Sequence, residues 1–99
     1  MAESLEQLIK TIQVVDESDE EVLLKLAGLV QLQAMVSGGE EEVINKLIDV
    51  ALQSQETSMH RKIGRILMGF SSSKALNASR KLLLGANAKS GGSFGSKDA

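Results

Sequence analysis

Six of the eleven cationic side chains and the single histidine of this 99-residue chain fall within MHRKIGRILMGFSSSKALNASRK, residues 59–81. Lysine and arginine neutralise phosphates, and together with asparagine they can hydrogen-bond base edges in a DNA groove. A nucleic-acid surface built here would use Arg61, Lys62, Arg65, Ser72, Ser73, Lys74, Asn77, Arg80 and Lys81. The plainer alternative is two amphipathic helices whose basic residues face water or balance acids elsewhere in the fold.

Within residues 59–84, the order Met68-Gly69-Phe70-Ser71-Ser72-Ser73-Lys74 resembles the turn of a helix-turn-helix unit. There a glycine is followed by an apolar residue and then by the polar start of a recognition helix. Ala75 and Ala78 would pack inward, leaving Ser72, Ser73, Lys74, Asn77 and Lys81 outside. Two positions depart from the pattern. Arg65 stands where a small residue usually lets the helices cross, and Gly64 stands at a position that is usually apolar.

Charge is divided along the chain. Residues 1–50 carry eleven acids and three bases, a charge of −8, and residues 51–99 carry two acids and eight bases, a charge of +6, which leaves −2 overall. Such polarity can steady an intramolecular bundle, favour head-to-tail association, or leave a basic face for an anionic partner.

Other chemistry finds little footing. The chain has no cysteine and one histidine, His60, which is placed on a solvated helix edge beside Arg61 and Lys62. Neither a Gly-x-Ser-x-Gly elbow nor a phosphate-binding GxxxxGK[ST] loop occurs. The acids of Asp16 to Glu21 lack the alternating ligands and central glycine of an EF-hand loop. Ser37-Gly38-Gly39 is followed by three glutamates, which repel a phosphate. The expectation is a protein that is not an enzyme, with no cofactor and no metal.

Without cysteine nothing requires an oxidising compartment. The start, MAESLEQLIK, lacks the basic and apolar segments of a secretory signal. The apolar runs fall far short of the roughly 20 residues that span a bilayer. A cytoplasmic setting, or a nuclear one in a eukaryote, is expected, without integral membrane association.

The elements that must position these residues are helical. Proline is absent, only Phe70 and Phe94 are aromatic, and the apolar residues recur at three-and-four spacing. The expected fold is all-α: a small bundle of four to five amphipathic helices over residues 1–85, followed by a flexible Gly/Ser-rich C-terminal tail, 86–99. The first helix runs from about Ser4 to Val15. A capping box of Ser18 and Glu21 starts the second, from about Asp19 to Val36. Gly28 within it implies a close neighbouring backbone. Ser37 to Gly39 stop it, and Glu40 to Glu42 open the third helix at the positive end of its dipole. Thr57 or Ser58 caps the fourth, the serines 71–73 cap the fifth, and Gly85 ends it. No internal repeat is evident.

The second helix is apolar around most of its circumference, more than one small core should bury. Leu24, Leu32 and Met35 lie off its Val22–Leu26–Leu29 stripe and are the expected protein interface. The functional expectation is a small interaction, regulatory or adaptor module that forms a homo-oligomer or binds a protein partner. The alternative is a DNA-binding regulator using residues 59–84.

Overall fold

The structure, a computed structural model, describes residues 4–37 and 39–90. Five helices follow one another: α1 Leu5–Val14, α2 Glu20–Ser37, α3 Glu40–Gln53, α4 Thr57–Leu67 and α5 Ser73–Ser90. No strand occurs among the described residues. The protein is the all-α bundle that its periodicity implies.

Local side-chain chemistry sets most of the helix starts. Ser4 Oγ accepts the Gln7 N–H at 3.2 Å and caps α1. The Ser18–Glu21 capping box does not form. Asp19 takes the role, its Oδ1 accepting the Val22 N–H at 3.4 Å. Ser18 is committed elsewhere: its N–H and hydroxyl both donate to Asp16 Oδ1, at 2.9 and 2.7 Å. Glu56 occupies the N-cap position of α4 in place of Thr57 or Ser58, without a side-chain bond. Ser72 Oγ accepts the Ala75 N–H at 3.2 Å and caps α5 as expected of that serine run. Gly85 does not stop α5, which continues to Ser90. The rest of the expected tail, 91–99, lies outside the described residues.

The core gathers around α4, which touches each of the other four helices. Met59, Ile63, Ile66 and Leu67 of α4 are buried among Leu8 and Ile12 of α1, Val30 of α2, and Ile44 and Leu47 of α3. Phe70 closes the end of this core. One aliphatic face from each helix is enough to fill it, so the opposite faces stay in water.

α4 and α5 share the most extensive contact of any helix pair. The reason is Gly64: a Cβ there would stand 2.9 Å from Leu83 Cγ and 3.4 Å from the Ser79 carbonyl oxygen. Leu83 lies ten residues into α5, about 15 Å along its axis. The two helices of residues 59–84 are thus closely packed, and Gly64 is a point of contact between them.

Gly28 behaves differently from expectation. It is exposed, and nothing lies within 4 Å of where its Cβ would be. Among the described residues no neighbouring backbone accounts for it.

Gly64→Val should force α4 and α5 apart and lower unfolding free energy by about 1–3 kcal/mol, the range for overpacking a filled core. Chemical denaturation of the two proteins measures it. Gly28→Ala should raise helix stability by several tenths of a kcal/mol in the monomer.

Candidate interaction surfaces

The basic residues of α4 are turned onto the chain itself. Lys62 is buried, 3% exposed, and its Nζ donates to three backbone carbonyl oxygens: Ile12 at 2.6 Å, Gln13 at 3.2 Å and Val15 at 2.8 Å. An ammonium has three N–H donors, and all three are used. Ile12 and Gln13 lie in the last turn of α1, where carbonyls lack helical partners and the dipole is negative. That turn has no basic residue of its own. Lys62 supplies the missing cation from another helix.

Beside it, Arg61 holds the Glu17 carboxylate in a two-pronged bond, Nε to Oε2 and Nη2 to Oε1, each 2.6 Å. Arg65 Nη1 donates to the Glu17 carbonyl oxygen at 3.2 Å. Three basic residues of α4, Arg61, Lys62 and Arg65, therefore clasp the end of α1 and the α1–α2 loop. Arg61 is half-buried and Lys62 is inaccessible, so Lys62 is corrected from a phosphate-binding candidate to a structural cation. His60 is also half-buried, and its Nε2–H donates to the Ser54 carbonyl oxygen at 2.9 Å, tying the α3–α4 loop.

Electrostatics follow the clasp. The hydrogen bonds from Arg61 hold the Glu17 carboxyl below its ordinary pKa, with the charges of Arg61 and Arg65 adding to the effect. Glu17 in turn raises that of Arg61. Asp16 is lowered by the Ser18 N–H, then by the Ser18 hydroxyl, with a further contribution from the Lys62 charge.

The other basic candidates occupy α5. Ser73, Lys74, Asn77, Arg80 and Lys81 are exposed, whereas Ser72 is half-buried at the cap. Lys74, Asn77 and Lys81 edge an open groove of about 380 Å³ floored by Ile48, Leu52, Ala78 and Leu82, between α3 and α5. Among the described residues no cluster of three acidic or histidine side chains could hold a metal ion. No helix there is long and apolar enough to cross a membrane.

The outer face of α2 carries the apolar candidates. Leu24 is 74% exposed, Leu32 54% and Met35 76%, with Leu29 and Val36 also in water. Leu23, Leu26, Val30 and Ala34 fill the core from the opposite side. Leu24 borders a second groove, shared by α2 and α4, with Ala27, Arg65 and Ile66. The basic clasp was missed in the sequence, although Lys62 stands three residues after Met59 and four before Ile66, on their face.

Lys62→Met keeps the stem and strips three carbonyls of their donors. Stability should fall by about 3 kcal/mol or more, and Tm by at least 10 °C, measured by thermal melting followed by circular dichroism. Because the folded-state pKa values of Glu17 and Asp16 are depressed, their stabilisation is complete above the ordinary carboxylate range, about 4. It is lost as pH falls through the lowered values. Glu17→Gln should flatten that acid limb by on the order of 1 kcal/mol in denaturation curves taken across pH, leaving the Asp16 part.

Comparisons with protein-family models, with curated proteins and with solved structures give no match to this chain.

Proposed function

We propose that this chain is a non-enzymatic helical interaction module, of regulatory or adaptor type, that self-associates through the outer face of α2. The observation that carries this reading is the exposure of Leu24, Leu32 and Met35 on one side of a helix whose other side already fills the core. Leu29 and Val36 widen the strip. A contiguous apolar strip in water is the mark of an association surface, because its burial against a partner releases ordered water. The opposite side of α2 already fills the core, which leaves this strip for a partner. Methionine at its end adapts readily to an opposing surface. A cytoplasmic or nuclear setting goes with this reading.

A second reading rests on a different observation: no acid occurs between Glu56 and Asp98, and Lys74, Arg80 and Lys81 project from α5. That face could bind the phosphates of duplex DNA, with Asn77 and Ser73 beside them.

Light scattering at high concentration should give at least a dimer mass for the parent. Leu24→Ser with Leu32→Ser should weaken association tenfold or more, about 1.4 kcal/mol, without loss of helical circular dichroism. A parent that stays monomeric overturns the reading. For DNA, Lys74, Asn77 and Lys81 changed to alanine should abolish a mobility shift at low salt. The parent's log affinity should fall with log salt at a slope of about −3, reflecting three phosphate contacts. A protein giving no shift removes this alternative.

A further inference from the structure

We infer that the groove between α3 and α5 receives an amphipathic helix of another protein, one whose aliphatic stripe is bordered by carboxylates. This site is separate from the outer face of α2 and does not depend on self-association there. Its floor is Ile48 and Leu52 of α3 with Ala78 and Leu82 of α5, in a volume of about 380 Å³. Leu52 is 71% exposed, a large aliphatic side chain left in water in the same depression as the core residue Leu82. A cleft between two touching helices is the shape that admits the apolar stripe of a third.

Charge selects the occupant. Lys74 and Lys81 stand on the α5 rim, seven residues and two turns apart, about 10.5 Å along the axis. No acid is among the described residues that line the groove. Asp49, next to Ile48 on α3, borders a different depression and accepts a hydrogen bond from Gln53 Nε2 at 3.4 Å. The rim is therefore of one sign. A helix carrying Asp or Glu at two positions seven apart sets a carboxylate against each ammonium, while aliphatic residues three and four positions along reach the floor. Asn77, between the lysines, offers an amide to a polar neighbour of those carboxylates.

Neither a second copy nor DNA fits both features. Among the described residues the only acids seven apart within one helix are Glu42 and Asp49, and the exposed residues between them are Asn45 and Lys46, not aliphatics. Duplex DNA would meet the lysines, yet it presents charged phosphates to an aliphatic floor.

The full chain, immobilised, selects from a displayed library of helical peptides of about 16 residues, with leucine on one stripe and Glu, Lys or Ser at the flanking positions. Enriched peptides should carry Glu at the flanks, and Leu52→Ser should weaken their binding at least tenfold with helical circular dichroism intact. Lys74→Glu with Lys81→Glu should turn the selection to Lys-flanked peptides, a reversal that loss of structure does not produce. No enrichment, enrichment without regard to flanking charge, or binding that Leu52→Ser leaves unchanged overturns the inference. Binding lost with Leu24→Ser and Leu32→Ser places the peptide on α2 and overturns it too. A lower light-scattering mass in the Lys74→Glu, Lys81→Glu protein would make the occupant a second copy. A duplex mobility shift that needs the lysines but not Leu52, without peptide enrichment, would make it DNA. Either result overturns the inference, whereas a monomeric parent sinks only the self-association reading.

Discussion

An ammonium group fastened to three carbonyl oxygens holds this fold in its particular shape. The end of α1 packs against α4, and packing it there removes water from carbonyls that have no partner within their own helix. Burial of such groups without donors is strongly unfavourable. Lys62 resolves the difficulty with one side chain, and its own burial is tolerable only because those carbonyls surround it. Each makes the other acceptable. Arg61 and Arg65 extend the same device along the loop through Glu17.

The division of charge along the sequence has a structural explanation in this clasp. Part of the positive half is turned inward by Lys62 and by the pairing of Arg61 with Glu17, so among the described residues the exposed positive surface of that half is smaller than the sequence suggests and consists of Arg65 on α4 with Lys74, Arg80 and Lys81 on α5. The acids that remain at the starts of α2 and α3 sit beside positive helix ends. A polarity of the whole chain thus becomes several local arrangements, each tied to a helix terminus.

Five helices were legible because aliphatic spacing reports burial, although in α2, apolar on several sides, the expected Val22–Leu26–Leu29 stripe is corrected: Leu29 is exposed, and Leu23, Val30 and Ala34 join Leu26 in the core. Loop partners were less so. Ser18 and Asp19 are both competent caps, and the choice between them depends on Asp16 recruiting Ser18. Lys62 was misread because its residue type outweighed its position: a lysine on an apolar stripe reads as surface until the carbonyls that receive it, some fifty residues away, are known. Gly64 and Gly28 show the same limit. Both interrupt helices, yet one meets a packed neighbour and the other meets none, and spacing along one chain does not distinguish them. The exposure of Leu24, Leu32 and Met35 was readable because one helix has only one inward face.

The bond from Lys62 to Ile12 spans 50 residues, and that separation has a consequence for assembly in time. At ten residues α1 is shorter than the roughly 12–15 at which isolated helices become even marginal in water. The last turn of α1 therefore gains its carbonyl partner only when α4 packs against it, so completion of that helix follows a contact fifty residues away and not a local one.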